Sequence, residues 1–187
     1  MAGPRQALAL GALIAAAAAP VFAQPFIVVG ACRSGQPNGA YELRMEDGQL
    51  RVAGAFAHGR KTGTFIFWSE KGARIAVMPY DEDARSGTLA LWHVSPDARV
   101  EGARRLEAPY VGDRLHGLVR SWYMNGAPRA EDRYEHGELV EARAWTEAGS
   151  QMTEAEARSL AASDAEADQR FCDELLAIVQ DNMPRCE

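Results

Sequence analysis

The chain has 187 residues, of which 47% are hydrophobic, and it carries 26 acidic against 20 basic residues, for a formal net charge of −6. This length is enough for one domain with a sizeable hydrophobic core. The acidic balance argues against binding to nucleic acid or to an anionic membrane surface. Most of the acidic excess lies in residues 151–187, which contain nine acids and three bases.

The first 23 residues have the pattern of a cleavable secretory signal peptide. Arg5 supplies a positive start, residues 8–19 are an unbroken apolar stretch, and compact residues precede the cleavage position before Gln24. The apolar stretch is shorter than a membrane-spanning helix. We therefore expect a periplasmic or secreted protein whose mature chain has no transmembrane segment.

The mature chain divides into two parts, a repeat domain at 24–150 and a helical segment at 151–187. An alternative to simple secretion comes from residues 29–32, which are similar to the lipobox of a lipoprotein. In that case Cys32 is acylated after cleavage of a longer leader.

Glycines mark an internal repeat with a period near 24 residues. Gly39, Gly63 and Gly87 are 24 residues apart, and Gly117 follows after 30, because a loop around Pro96 adds six. Regular spacing of this kind is typical of chains built from one repeated structural unit.

Two aromatic positions recur in phase with these glycines. An aromatic residue begins the second half of each unit, and a tryptophan follows it by 11 or 12 residues. The first set is Phe56, Tyr80, Tyr110 and Tyr134, and the second is Trp68, Trp92, Trp122 and Trp145.

Each unit predicts a β-hairpin. Residues 64–68 (TFIFW) are β-branched or aromatic and end at a polar turn with Gly72, and residues 74–78 (RIAVM) form the return strand. A single hairpin is marginally stable, so neighbouring units must pack together. The expected fold is mainly β, an elongated antiparallel meander of about eight to ten strands, since each unit supplies two.

The pattern Gly-x4-Trp-x3-Gly, with an aromatic-x-x-Gly in the second half of the unit, resembles the variant MORN repeats of bacteria. It occurs at Gly63, Trp68 and Gly72, at Gly117, Trp122 and Gly126, and in the second halves at Phe56 and Gly59 and at Tyr134 and Gly137. The resemblance covers residues 39–149, although Arg44 replaces the tryptophan in the first copy. It implies a single-layer β-sheet used for binding or scaffolding, here in an exported chain.

The C-terminal segment has two helix-start signals. Thr153 with Glu156 and Ser163 with Glu166 both fit the capping box, and Asn182 is placed to end the helix. An apolar stripe with helical spacing follows: Phe171, Cys172, Leu175, Ile178 and Val179. We expect one or two helices that cover an apolar face of the sheet.

Three cysteines in an oxidising compartment predict one disulfide and one free thiol. Cys172 lies in the apolar stripe and is interpreted as a small buried hydrophobic residue. We expect Cys32 and Cys186, just outside the ordered elements at opposite ends, to form the disulfide. The alternative is Cys172 with Cys186, which accompanies an acylated Cys32.

The sequence contains no recognisable catalytic or metal-binding motif. The histidines lack zinc-ligand spacing, the nucleophile elbow is absent, and the acidic residues 81–83 are interpreted as a solvated turn. The histidines, at His58, His93, His116 and His136, are interpreted as turn or surface residues. We expect a non-catalytic protein without metal or cofactor. An unrecognised envelope hydrolase is the less favoured alternative.

The tryptophans are the strongest candidates for a binding surface. Trp68, Trp92, Trp122 and Trp145 recur at one phase, so we expect them on one face of the sheet, opposite the face that carries Phe65. They predict a strip for a peptide, glycan or protein, or else contacts that only stabilise neighbouring strands. The expected function is a scaffold that binds another envelope protein or a cell-wall component, and the alternative is a spacer without a specific ligand. The sequence leaves the oligomeric state open.

Overall fold

The computed structural model describes residues 26–95, 97 and 99–187, which form one β-sheet and one long helix. The predicted signal peptide and Pro96 lie outside the described residues. In chain order the elements are β1 (Ile27–Arg33), β2 (Gln36–Arg44), β3 (Leu50–Ala57), β4 (Arg60–Trp68), β5 (Arg74–Asp81), β6 (Ala84–Arg85), β7 (Gly87–Val94), β8 (Glu101–Val111), β9 (Arg114–Leu115), β10 (Gly117–Trp122), β11 (Pro128–Glu135), β12 (Glu138–Ala144) and α1 (Glu154–Asp181).

The sheet is an open meander in which the order of the strands in space follows their order in the chain. Its neighbouring strands are antiparallel, and β1 and β12 are its edges. The two-residue strands β6 and β9 lie off this path and extend the hairpins that begin with β5 and β8. The predicted fold class, a β-meander followed by a helical segment, is confirmed.

The repeat glycines lie at positions where the backbone has positive φ. At Gly87 the φ angle is +116°, and a Cβ there would lie 3.0 Å from Cγ of Pro79. Glycine adopts this conformation easily because it has no Cβ. Gly39, Gly63 and Gly117 share the positive φ. The period seen in the sequence therefore corresponds to a backbone requirement that recurs along the sheet.

A β-bulge recurs in four of the hairpins, each time just before a tryptophan or arginine residue near the end of the first strand. In each case the register skips one residue of the return strand. A bulge of this kind redirects the side chain of the extra residue. The extra residues are Arg51, Ile75, Arg105 and Arg129.

The hydrophobic core lies between one face of the sheet and α1. Phe65 and Leu91 are completely buried on the sheet, and Cys172, Leu175 and Val179 are buried on the helix in the same cluster. Covering this face removes its apolar surface from water, which is the main driving force for docking the helix. The predicted packing of the C-terminal segment on the sheet is therefore observed.

The helix begins where the first capping box predicts. The hydroxyl of Thr153 accepts a hydrogen bond from the N–H of Glu156, and the Glu156 carboxylate accepts from the N–H of Thr153. The second predicted start is wrong, because α1 runs through Ser163 without interruption and the neighbouring Asp164 contacts Arg129 on the sheet. The helix ends at Asp181 with Asn182 as its C-cap, as expected.

The predicted disulfide between Cys32 and Cys186 is present and connects β1 to the residues after α1. Cys32 itself lies inside β1, so the expectation that it stands outside the ordered elements is wrong. The tail packs closely here, because a Cβ on Gly30 would lie 2.5 Å from Cγ of Pro184. The disulfide also uses the sulfur atom that acylation of Cys32 would require.

Cys172 is the free cysteine of the described residues, and it is 3% exposed. Burial raises the pKa of its thiol to about 12. A thiol in this environment stays protonated and behaves as a small apolar side chain, as the sequence predicts.

The described part of the chain contains no helix that is both long enough and apolar enough to span a bilayer, and this includes α1.

Candidate ligand-binding cavity

A cavity of about 650 Å³ lies between the N-terminal half of α1 and the strands from β7 to β11. On the helix side it is lined by Ala161, Ala165 and Cys172, and on the sheet side by residues such as Leu106 and Val119. A volume of this size is typical of sites for small organic molecules. The contacts that hold the helix over the sheet therefore also form a concave site.

Two ion pairs connect the helix to the sheet across this cavity. Arg105 donates to Asp168 at 2.6 Å, and Arg129 donates to both carboxylate oxygens of Asp164. Both arginines are the extra residues of β-bulges, at equivalent places in consecutive repeats. The two aspartates are four residues apart, so they lie on the same face of the helix. Two arginines that are one repeat apart on the sheet therefore pair with two aspartates that are one turn apart on the helix.

The pairing of Arg129 with Asp164 provides a test of this docking. Arg129→Ala leaves a part-buried carboxylate without its partner, so we expect a loss of about 2 kcal/mol in the free energy of unfolding. The double variant with Asp164→Ala removes that unpaired charge, and we expect it to recover part of the loss. Urea unfolding of the wild type, the two single variants and the double variant measures this, and additive losses would contradict the pairing.

Three buried polar atoms on residues that line the cavity have no hydrogen-bond partner in the described part of the chain. They are Nε of Arg105, Oγ of Ser121 and Oδ1 of Asp132, and among the described residues the fourth atom of this kind is Nε of Arg51. Buried polar atoms normally have partners, because leaving one unpaired costs about 1–3 kcal/mol. Their concentration around one cavity makes it the strongest candidate for a ligand site in the described part of the chain.

Asp132 is the most unusual of these residues, since its side chain is charged in ordinary conditions and the residue is only 6% exposed. The pKa of this carboxyl is raised from 3.8 to about 6, mainly by burial and to a smaller extent by the nearby carboxylate of Asp164. A hydrogen bond from the backbone N–H of Arg143 and the charge of Arg129 act in the opposite direction. The result is an acidic group in the cavity whose charge the protein does not balance.

This raised pKa predicts how stability depends on pH. The folded state holds the Asp132 proton more tightly than the unfolded state, so the protein loses stability as the pH rises from 3.8 through about 6. Asp132→Asn removes the ionisation, and we expect it to stabilise the protein above this range by at most about 3 kcal/mol. Urea unfolding across the range measures the effect. Glu174→Gln, which alters an exposed acid of α1, is the control and should leave the pH profile unchanged.

A third arginine, Arg85, also lines the cavity. Arg85 stacks on the ring of Tyr110 at 4.4 Å, forms an ion pair with Asp113 and donates to Gln169 of α1 at 3.0 Å. A guanidinium on an aromatic face is favourable because the ring carries negative charge on its faces. This group attaches the middle of the helix to the hairpin of β8 and β9.

The predicted aromatic residues of the second half-units belong to the helix-facing core. Phe56, Tyr80 and Tyr134 are buried, and Tyr110 packs against them. Phe56 and Tyr80 each contact the ring of Phe65 edge-on, at 5.5 and 5.7 Å. These residues repeat because each hairpin needs an aromatic side chain beneath the helix or beside it.

The tryptophans do not form a continuous open strip. Trp92 is 5% exposed, because the guanidinium groups of Arg74 and Arg104 cover its two faces at 4.2 and 4.4 Å. At this position the contacts agree with the alternative in which the tryptophan packs on neighbouring strands. Trp68 and Trp145 are partly exposed away from the cavity, whereas Trp122 contributes to the cavity lining.

The face of the sheet opposite α1 is charged around β8 to β12. Its arginine and glutamate side chains alternate across the strands, and the pairs are Arg104 with Glu107, Arg120 with Glu131, and Arg133 and Arg143 with Glu141. Exposed pairs of this kind contribute little to stability.

The acidic turn and three of the histidines have the structural places expected of them, whereas the interpretation of His93 is wrong. His93 lies half-buried inside β7, and its ring contacts the carbonyl of Trp122 at 2.8 Å. His58 and His136 are turn residues with positive φ, and the ring of His136 lies 5.0 Å from that of His116. Glu82 and Asp83 also have positive φ in the turn after β5. Within the described ranges, no group of three or more histidine, cysteine or acidic side chains is arranged to hold a metal ion.

The cavity residues Arg105, Ser121 and Asp132 are not predicted as functional residues by the sequence. Asp132 stands within an acidic pair that looks like a solvated position, and its burial depends on the long-range docking of α1. One signal was present, because Arg105 and Arg129 occupy the same place in two repeats. An arginine that recurs at the same position of two repeats indicates partner residues that recur with a matching spacing elsewhere in the chain.

A comparison of the chain with models of known protein families found no match, and a search of curated proteins found no significant relative.

Proposed function

We propose that this protein is an exported, non-catalytic binding module built from MORN-like repeats, and that it holds a small polar ligand in the cavity under α1. The observation that carries the proposal is the set of unpartnered polar atoms of Arg105, Ser121 and Asp132 around one cavity. A repeat sheet that served only as a spacer would have no need for buried polar groups that cost stability. Such a cost is typical of functional sites.

The signal-like residues 1–23 and the disulfide between Cys32 and Cys186 support export. The natural ligand is then a component of the cell envelope, either free or as part of a cell-wall polymer or envelope protein. Two of the aspartates in the cavity, Asp164 and Asp168, form ion pairs with arginines and hold the helix in place. This use of the acids favours binding over hydrolysis.

A screen of small polar fragments by ligand-observed NMR tests the binding function. Ala165 lies on the cavity side of α1 and is exposed, so Ala165→Trp should fill the cavity without disturbing the core. Ala162 is exposed on the same helix but does not line the cavity, which makes Ala162→Trp a matched control. We expect fragments that bind the wild type and Ala162→Trp but not Ala165→Trp.

Two results would contradict the binding function. If no fragment binds the wild-type protein at millimolar concentration, the cavity is a packing defect and the spacer hypothesis replaces the proposal. If fragments bind all three proteins equally, they bind elsewhere. Release of a product from a bound fragment would favour the hydrolase alternative.

A further inference from the structure

Among the buried and half-buried arginine, aspartate and glutamate side chains that line the cavity, Asp132 is the one without an ion pair in the described part of the chain. Arg105 is paired with Asp168, Arg129 with Asp164, and Arg85 with Asp113. The Oδ1 atom of Asp132 also accepts no hydrogen bond from any residue that the structure describes. A carboxyl in a dry site attracts a positively charged or strongly donating group from outside.

The unpartnered atoms near Asp132 define the rest of the ligand. In the sheet register Asp132 is opposite Val119, and Ala130 is opposite Ser121, so Asp132 and Ser121 are diagonal neighbours on one face, about 7–8 Å apart. Ser121 is also opposite Leu106, next to the bulged Arg105. The free Nε–H of Arg105 requires an acceptor, whereas Oγ of Ser121 is able to donate or accept.

The donor set fits an organic cation better than a metal ion. The carboxylates of Asp164 and Asp168 are engaged by arginines, which leaves Asp132 as the one buried carboxyl in the cavity without an ion pair. Hard divalent ions take six or more oxygen ligands or a set of carboxylates, which this site does not offer. An ammonium group needs only a few acceptors, and apolar walls such as Leu106 and Val119 suit the carbon skeleton that carries it.

We propose that the ligand of this cavity is a small organic amine, whose ammonium group donates to Asp132 and whose skeleton carries a hydroxyl or carbonyl oxygen that accepts from Arg105. This inference rests on the proposed binding function and specifies the ligand class for the same site. Amino sugars and amino alcohols have both groups within a size that the cavity accommodates. Ser121 then bonds a second polar group of the same molecule.

Matched pairs of amines and neutral alcohols test the ligand class. The probes are glucosamine with glucose, and ethanolamine with ethylene glycol, each titrated at millimolar concentration into ¹⁵N-labelled protein. We expect the amines to shift the amide signals of Ser121, Asp132 and Ala161, and the neutral probes to leave them in place. Asp132→Asn should weaken amine binding about tenfold, the effect of losing one charge-assisted hydrogen bond. Glu174→Gln, which removes an exposed acid outside the cavity, should bind like the wild type.

The outcomes separate the ligand class from the binding function. Equal binding of amines and alcohols, lost in Ala165→Trp, overturns the amine class and leaves the binding function intact. The amine class is also overturned if other fragments bind in a manner sensitive to Ala165→Trp while no amine does, or if Asp132→Asn binds amines as tightly as the wild type. If no fragment and no probe is sensitive to Ala165→Trp, both the binding function and the amine class fail.

Discussion

Loss of the Cys32–Cys186 disulfide is expected to cause the largest destabilisation of this protein by any single bond. The bond closes a loop with a sequence separation of 154 residues, so it restricts nearly the whole described chain in its unfolded state. On the chain-entropy model a loop of this length contributes about 5 kcal/mol, which is as large as the entire stability of many domains. We therefore expect Cys186→Ser to unfold at a much lower urea concentration than the wild type.

The same bond has a local role at the edge of the sheet. All seven residues of β1 are exposed, and the strand has a neighbour only on the side of β2. Beyond the disulfide, Tyr41 donates a hydrogen bond to the carbonyl of Asn182 at 3.0 Å, which brings the end of α1 to the same corner. Loss of the bond should therefore release β1 and the C-terminal tail before the rest of the sheet.

Hydrogen exchange and urea unfolding together check this prediction. Cys32→Ser, Cys186→Ser and the double variant should share one lower midpoint, because each lacks the same bond. Cys172→Ala keeps the disulfide and is the control for loss of a cysteine. Equal midpoints for oxidised and reduced wild-type protein would show that the bond does not restrict the unfolded state, and uniform loss of amide protection would contradict the local role.

The sequence predicts the fold of this chain well because its signals are local and repeated. A glycine that needs positive φ, such as Gly87, and a strand such as residues 64–68 are determined within a few residues. Repetition then confirms each signal in the next unit. The disulfide is also predictable from the sequence, because Cys172 belongs to an apolar stripe and leaves Cys32 and Cys186 as the expected pair.

The cavity was not predictable in the same way. Its residues come together only when α1 crosses the sheet, and the chain gives no local signal that Asp132 becomes buried beneath that helix. The sequence left the role of Trp92 open for a related reason. The position of its ring on the sheet face follows from strand alternation, but its burial depends on Arg74 and Arg104 from the two neighbouring strands. Contacts between distant segments determine both outcomes.

Truncation of Phe65 is expected to have the second largest effect. The side chain is completely buried, and its ring contacts those of Phe56 and Tyr80 edge-on at the centre of the helix-facing cluster. Phe65→Ala removes the ring and leaves a cavity between the sheet and α1. Neither the sheet nor the helix can move far enough to fill this space. We expect a loss of about 3–5 kcal/mol in the free energy of unfolding, measured by urea denaturation.

The neighbouring strand shows why the ring of Phe65 fits so closely. A Cβ on Gly54 would lie 2.6 Å from the Cδ1 and Cε1 atoms of that ring, so the aromatic side chain rests directly on the glycine backbone. Gly54→Ala should therefore cost about 1–3 kcal/mol in the wild-type protein through overpacking. In the Phe65→Ala background the added methyl group enters the space that the ring has left, and the cost should largely disappear. A double-mutant cycle measures this coupling, and equal costs of Gly54→Ala in both backgrounds would show that the ring does not occupy the space above Gly54.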